Sequence, residues 1–200
     1  MITMTNLLRG VVVAGLAATV LALPTAGGVA SAAPTDPAAT GQTVAAAVPA
    51  PPVTPAVKAH IKKKHKAVCI NAHVQNVGWQ GWRCGKNGWP VLVGTTGQSL
   101  RMEAISILTS KGICAQAHVQ NIGWQSNQCA GKYIPVTVGT TGQSLRLEAL
   151  KLWAGSRICA QAHVENIGWM FWRCSKKFKP AVVGTTGQSL RMEALRVLLP

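Results

Sequence analysis

Apolar and polar residues alternate with a period of two along several short segments of the chain. In residues 113–120 every second side chain is Ile, Ala or Val, and the positions between them hold one cysteine, two glutamines and one histidine. This alternation is typical of a β-strand with one buried face. Turn signals such as Asn87-Gly88 and Thr96-Gly97 separate the strand-like segments, since Asn and Gly readily adopt positive φ. The pattern therefore predicts an all-β fold.

The segment 145–152 admits two interpretations. Its residues alternate up to Ala149 and then shift phase, as in a strand that carries a β-bulge. Leu145, Ala149 and Leu152 would also lie on one face of a helix, at i, i+4 and i+7. We predict the strand, because Gly-rich turns bound the segment and no helix-capping box precedes it.

An eight-residue motif occurs three times along the chain. AHVQNVGW at 72–79 returns as AHVQNIGW at 117–124 and as AHVENIGW at 162–169. Successive copies lie 45 residues apart, with no insertion. A fixed period of this length is typical of repeat architectures.

A second motif follows the first at the same offset in each copy. VGTTGQSLRMEA at 93–104 returns at 138–149 with one change, Leu147, and at 183–194 unchanged. A chain with no length change between copies is expected to close on itself, so that each copy packs against both others. We predict a single domain with pseudo-threefold symmetry, β-prism-like in the first place and a β-trefoil in the second. The predicted repeats are 67–111, 112–156 and 157–200, called copies one, two and three below.

The residues before the repeats are predicted to lie outside this domain. Residues 1–32 combine a basic start, an apolar run of thirteen residues at 11–23 and a small-x-small sequence at 30–32, which predicts a secretory signal peptide. Residues 33–66 are predicted to be an Ala/Pro-rich linker that ends in a basic tether at 60–66. We expect a secreted protein, extracellular or loosely associated with the cell surface.

The chain is strongly basic, with a formal net charge of +15. Residues 67–200 alone contain 14 Lys and Arg against 4 Asp and Glu, a net charge of +10. For a secreted basic protein the abundant anionic partners are envelope polymers. The expected partner is an extracellular glycan, a cell-wall polymer or a surface protein, with no nucleic acid, no integral membrane segment and no cofactor. We expect a monomer.

Six cysteines fall two in each copy. Threefold symmetry leaves two sensible sets of disulfides, one within copies and one between neighbouring copies. We predict the set within copies, because each loop spans only 15 residues and needs no other copy to form. The predicted disulfides are Cys69–Cys84, Cys114–Cys129 and Cys159–Cys174.

Cys69, His73 and Cys84 could instead form a zinc site, repeated in each copy. An exported chain meets oxidising conditions, and the spacing lacks the usual Cys-x2-Cys pair. We therefore predict no metal site.

The two motifs together resemble the clostridial hydrophobic W repeat, also written ChW. Both motif halves occur in correct order in all three copies, which span residues 67–200. The resemblance implies a secreted or surface protein of a Gram-positive bacterium with a role in attachment to polysaccharide or to other proteins. Two cysteines per copy depart from the pattern that we associate with the family.

Each AHVxNxGW motif ends in a tryptophan with two possible roles. The indole of Trp79, like those of its equivalents, could stack on a sugar ring beside Asn76, or the three tryptophans could fill the middle of the domain. Trp82 and Trp172 are less regular and suit the surface better. The candidate ligand-binding residues are Asn76, Trp79, Trp82, Asn121, Trp124, Asn166, Trp169 and Trp172.

Each copy also carries one histidine and an Arg-x-Glu sequence. His73 is predicted to bind backbone groups near a turn; catalysis with Ser99 and Glu103 would require three identical active sites in one small domain. Arg101 and Glu103 share a strand face and are predicted to pair. The predicted structural ion pairs are Arg101–Glu103, Arg146–Glu148 and Arg191–Glu193.

The sequence thus favours a non-catalytic binding module for cell-envelope or extracellular polysaccharide or another anionic polymer, with three related sites. The alternative is a protein-interaction or adhesion module that uses exposed aromatic residues. A hydrolase is the third hypothesis, in which Glu165, which replaces the glutamine of the other copies, would act beside His163. The aromatic residues of the alternative are Trp89, Trp153, Phe171, Trp172 and Phe178.

Overall fold

The computed structural model describes residues 48–63, 65–86, 88–177 and 179–200. The predicted signal peptide and residues 33–47 of the predicted linker lie outside these ranges. Asn87 of the first predicted turn and Phe178 of the aromatic set also lie outside them.

Within the described residues the chain forms one short helix followed by fifteen strands. The helix is α1 (Pro55–Lys63). Copy one contains β1 (Ala67–Val74), β2 (Gly78–Trp79), β3 (Arg83–Lys86), β4 (Val91–Gly94) and β5 (Met102–Thr109). Copy two contains β6 (Ile113–Val119), β7 (Gly123–Trp124), β8 (Gln128–Ala130), β9 (Val136–Gly139) and β10 (Leu147–Ala154). Copy three contains β11 (Cys159–Val164), β12 (Gly168–Trp169), β13 (Arg173–Cys174), β14 (Ala181–Gly184) and β15 (Met192–Leu198).

The strands form three five-stranded antiparallel sheets, and each sheet borrows one strand from another copy. Sheet one joins β1, β2, β3 and β5 of copy one to β9 of copy two. Sheet two likewise takes β14 from copy three, and sheet three takes β4 from copy one. This exchange runs once around the three copies and closes, which explains why the repeats tolerate no change in length. The prediction of an all-β, prism-like fold with pseudo-threefold symmetry is confirmed, since three similar sheets correspond to the three repeats, and no closed barrel forms within the described ranges.

Most of the segment 145–152, for which a helix was the alternative, forms strand β10 with a bulge, as predicted. In the pairing of β10 with β6, Leu147 lies opposite Val119 and Ala149 opposite His118. Glu148 therefore has no partner residue across the ladder. The same shift in register occurs at the corresponding place in sheets one and three. A glutamate therefore lies at the bulge of each sheet.

The core is one apolar cluster to which all three copies contribute. Alternate residues of β6 are buried while those between them are half-buried, as the period-two pattern predicts. Ile, Leu, Val and Ala fill the inward-facing positions, with Met102 and Met192 among the largest fully buried side chains. Trp79 and its two equivalents are only half-buried. Of the two possible roles, a position in the middle of the domain is therefore excluded, since aliphatic side chains already occupy it.

The three disulfides form within copies, as predicted. They are Cys69–Cys84, Cys114–Cys129 and Cys159–Cys174. In each case the two cysteines lie directly opposite each other on neighbouring strands. Because these thiols are bonded, they cannot serve as thiolate ligands, and the zinc alternative is lost.

Removing one of these disulfides is expected to destabilise the fold without abolishing it. Replacing Cys114 and Cys129 together with alanine frees a loop of 15 residues in the unfolded state, which should cost about 3 kcal/mol in free energy of unfolding. Chemical denaturation of the double variant against the parent measures this loss. A change below about 1 kcal/mol would mean that residual pairing of β6 with β8 already restricts this loop in the unfolded chain.

The structure differs from the predicted linker at 33–66, because residues 55–63 form α1. Thr54 precedes the helix and its hydroxyl oxygen accepts a hydrogen bond from the backbone N–H of Val57, at 3.3 Å. Pro55 occupies the first helical position, where its missing N–H is not needed. Thr54-Pro55 is a sequence signal for the start of a helix. The Lys and Ala residues around it nevertheless gave the segment the composition of a tether.

Helix α1 packs on the outer face of sheet one. Val57 and Ile61, four residues apart, are buried against Cys69 and Leu108. The basic residues of the last helical turn lie at the end of the helix where its dipole favours positive charge. The basic segment is therefore at least partly attached to the domain, and the prediction of a free tether is wrong for this part.

Candidate binding sites at the junctions of the copies

Each bulge holds a buried glutamate between an arginine and a histidine. In copy one Oε1 of Glu103 accepts hydrogen bonds from Arg101, whose Nε lies 3.0 Å and Nη2 2.9 Å away. The glutamate is 5% exposed, so its charge depends on these partners. The predicted ion pair is present in every copy, with Nε–Oε1 distances of 2.9 Å for Arg146–Glu148 and 3.0 Å for Arg191–Glu193.

The histidine contacts the same carboxylate. Nδ1 of His73 lies 3.1 Å from Oε2 of Glu103, and the distances in the other copies are 3.0 and 3.1 Å. The ring is not oriented for a well-aligned hydrogen bond, so this is a close contact between polar groups. The prediction that the histidine binds backbone groups is wrong, because the bulge brings a carboxylate to the place where the turn was expected.

The tryptophan completes the cluster on its outer side. Trp79 lies directly opposite His73 in the pairing of β2 with β1. The two ring centroids are 5.4 Å apart and the rings are nearly perpendicular, an edge-to-face arrangement. Both other copies repeat it, at 5.2 Å.

The strand borrowed from another copy closes each cluster from the remaining side. In sheet one the backbone N–H of Thr140, from copy two, donates to the carbonyl oxygen of Glu103 at 2.8 Å. Gly139 crosses so close that a Cβ there would lie 2.3 Å from the same oxygen. Each cluster is therefore a junction between two copies.

The asparagines lie at the exposed tips of the hairpins that precede the tryptophans. Asn76 has a φ of 61°, and Asn121 and Asn166 have nearly the same value. Asparagine tolerates this left-handed conformation better than most residues. The turn accounts for the residue type, while the exposed amides remain candidate ligand contacts.

The copies differ in what covers the tryptophan face. Nζ of Lys151 lies 4.0 Å from the ring centroid of Trp124, and Cζ of Arg196 lies 4.0 Å from that of Trp169. These are cation–π contacts. Ser106 holds the corresponding position in copy one, where it is fully buried and cannot supply a cation. This difference was not predicted, although Ser106, Lys151 and Arg196 are spaced by 45 residues in the sequence and signal it.

Trp82 and Trp172, which occupy corresponding positions, have different surroundings. Nε1 of Trp82 donates to the carbonyl oxygen of Pro52 at 2.9 Å, and the ring packs beside α1. The N-terminal segment therefore partly covers Trp82, which is half-buried, and its role in ligand binding stays a prediction. Trp172 is 39% exposed. Its surface position agrees with the prediction.

Glu165, the candidate residue of the hydrolase hypothesis, is engaged in the same network. Its carboxylate forms an ion pair with Arg191, and Oε2 accepts a hydrogen bond from the backbone N–H of Arg191 at 3.4 Å. In copy two Gln120 accepts the corresponding hydrogen bond from Arg146, at 3.5 Å. Glu165 therefore accepts the same backbone hydrogen bond as the glutamine that stands at this position in copy two.

Positive charge dominates the described surface. Every side-chain carboxylate in the described ranges belongs to one of the four glutamates above, which are buried or half-buried and ion-paired. Many lysines and arginines are exposed. They include Lys58, Lys62, Lys63, Lys66, Arg83, Lys86, Lys132, Arg157, Arg173, Lys176 and Lys179.

The described residues contain no cluster of three or more His, Cys, Asp and Glu side chains that could hold a metal ion. No described helix has the length and apolar character needed to cross a membrane.

One comparison with known proteins gives a match. The family model described as Clostridial hydrophobic W matches residues 73–109, 118–153 and 163–200. Each matched segment begins at the histidine of the cluster and contains both motifs. No curated protein and no solved structure matches the chain significantly.

Proposed function

We propose that this chain, which belongs to the clostridial hydrophobic W family, is a secreted, non-catalytic binding module for an anionic polysaccharide of the cell envelope. The observation that carries the proposal is the separation of charge. The three cluster glutamates are buried with their own arginines, while most of the remaining cations are exposed. Such a surface attracts polyanions and repels cationic partners.

Exposed apolar residues beside the cations favour a glycan over other polyanions. Leu92 and Val182 are 39% and 44% exposed, on strands that cross from one copy to another. A sugar ring has an apolar face as well as polar edges, and acidic sugars add the charge. A surface that alternates cations with apolar side chains is complementary to both.

Two features support secretion. Three disulfides stabilise the domain, and such bonds persist in oxidising compartments. The sequence of residues 1–32 has the pattern of a signal peptide. Both fit a protein that meets its polymer outside the cell.

A non-catalytic role is supported by the state of the carboxylates. General acid–base hydrolysis of a glycan needs two carboxyl groups at the substrate. The glutamates of the clusters are each held by an arginine, and Glu165 pairs with Arg191. Carboxyl groups held in this way support a structural role rather than a catalytic one.

Retention of the intact protein on immobilised polymers tests the proposal. The polymers are purified Gram-positive cell walls with and without their anionic polymers, a polyuronate, neutral chitin, and double-stranded DNA. We expect retention on the walls and the polyuronate at about 50 mM salt, and at least tenfold weaker binding at about 300 mM, since the screening length falls from roughly 14 Å to roughly 6 Å between these ionic strengths. Chitin, and walls stripped of their anionic polymers, should retain little protein.

The same experiment contains the outcomes that would overturn the proposal. Absence of retention on every anionic glycan at low salt would refute it. Binding to DNA as tight as to the polyuronate would show a polyanion surface without preference for glycans.

A protein-interaction module remains the second candidate, and two exposed aromatic residues favour it. Phe171 is 85% exposed and Trp89 is 73% exposed, and large exposed apolar side chains often mark contact surfaces. If this function is the right one, Phe171→Ala and Trp89→Ala should abolish capture of a surface protein and leave glycan retention unchanged.

A further inference from the structure

Two cations lie on either side of an exposed leucine, where strands of sheets three and one and of two copies meet. Arg196 on β15 lies opposite Leu92 on β4, which copy one contributes. Arg83 on the adjacent strand β3 donates from Nη1 to the carbonyl oxygen of Leu92, at 3.4 Å. The two arginines come from different copies, so the arrangement exists only in the assembled domain.

The same arrangement occurs one copy earlier, where strands of sheets two and three meet. Lys151 on β10 lies opposite Val182 on β14, which copy three contributes. Arg173 is exposed on β13, the strand that contacts β14. Lys151, Val182 and Arg173 occupy the positions that correspond to Arg196, Leu92 and Arg83.

At the third junction, where sheet one meets strand β8 of sheet two, the residues at all three places are neutral. Ser106 on β5 lies opposite Thr137 on β9, and the Thr137 hydroxyl donates to Oγ of Ser106 at 2.9 Å. Gln128, on β8, stands where the other copies have Arg83 and Arg173. Both positions thus hold cations in two of the junctions, and neither holds a cation in the third.

The cations on β10 and β15 are held in place before any ligand arrives. Arg196 stacks on Trp169, and its Nη1 lies 3.5 Å from Oε1 of Gln161. Lys151 stacks on Trp124 in the same manner. Fixing a long side chain in advance reduces the entropy that binding would otherwise cost. Arginine in particular matches the two oxygens of a carboxylate or a phosphate.

We infer that the domain has two anion sites, at the junctions built by Lys151 with Arg173 and by Arg196 with Arg83, and that the third junction takes no anion. The inference rests on the proposed function and narrows it. Each site would bind one acidic group of the glycan between its two cations, with the apolar face of the attached ring on Val182 or Leu92. Two sites on one rigid body then bind the same polymer with avidity.

Paired glutamine variants of the intact chain test this inference. The first carries Arg83→Gln and Arg196→Gln, the second carries Lys151→Gln and Arg173→Gln, and a matched control carries Lys58→Gln and Lys132→Gln, which removes the same charge from exposed positions outside the junctions. We expect each junction variant to bind the polyuronate at least tenfold more weakly than the parent, and the control no more than threefold. Thermal unfolding verifies that each variant folds. If Arg196→Gln does not fold, the single variant Arg83→Gln, which alters an exposed residue, replaces the first variant.

The source of the acidic group and the number of sites are measured separately. Parallel titrations with a polyuronate and a poly(glycerol phosphate) distinguish carboxylate from phosphate. A short oligomer that reaches one site only should bind with a stoichiometry of two per chain. A stoichiometry of three would overturn the inference, because all copies would then be equivalent.

Failure of the inference and failure of the proposed function give different results. If the parent binds the polymer and the junction variants weaken no more than the control, the sites are wrong and the function stands. If the parent itself is not retained by any anionic glycan, both are wrong.

Discussion

Replacing Glu148 with alanine is expected to lower the free energy of unfolding by about 3–5 kcal/mol, the cost of removing one partner from a buried ion pair. The carboxylate accepts hydrogen bonds from Arg146 and contacts Nδ1 of His118. Without it, a half-buried guanidinium loses its counter-charge and its contacts with Oε1 of Glu148. Urea denaturation followed by tryptophan fluorescence measures the change.

Glu165→Gln is the matched control for this prediction. It also removes a carboxylate that is ion-paired with an arginine, but the side chain is 23% exposed and copies one and two already carry glutamine at the position. We expect a loss below about 1 kcal/mol, as for partly exposed pairs. Equal losses in the two variants would mean that burial in the bulge is not what makes Glu148 important.

Gly139→Ala is expected to disrupt the exchange of strands between copies one and two. The glycine has a φ of 105°, and a Cβ would lie 2.3 Å from the carbonyl oxygen of Glu103. Strain from the positive φ and overpacking against a backbone atom should together cost about 3 kcal/mol or more. A lower melting temperature, with early loss of amide protection in β9 and β5 by hydrogen exchange, is the expected result.

Gly142→Ala separates the backbone conformation from the close approach. Gly142 also has a positive φ, of 69°, but its Cβ would meet no heavy atom within 4 Å. This variant should therefore lose only about 1–2 kcal/mol, from strain alone. If both variants are equally destabilised, the crossing at Gly139 is less tight than the distance to Glu103 implies.

Features that depend on short-range pattern could be predicted from the sequence. The period-two alternation in 113–119 follows from burial of one strand face, and β6 has those bounds. The disulfides could be inferred because the cysteines of each copy are close in sequence. The pairing of Arg101 with Glu103 was accessible for the same reason, since alternate residues of a strand share a face.

Features that depend on which strands become neighbours could not be predicted. Residues 91–94 have the same apolar pattern whether they join their own sheet or another, so the exchange of β4 leaves no local signal. The contact of Lys151 with Trp124 joins residues that are distant in sequence. The location of Trp79 could not be predicted for another reason. Its regular spacing fits both a core position and a repeated surface position.

The circular exchange of strands also constrains how such a chain can change in length. Each copy gives one strand to another sheet and receives one in return, so loss of a single copy removes a donor and an acceptor at once. The shortened chain would have to close the ring of exchanged strands around two sheets, or leave a sheet edge unpaired and open to other chains. Recombination that adds or deletes one repeat should therefore yield chains prone to association. Viable variants of this architecture are expected to gain or lose copies in sets of three.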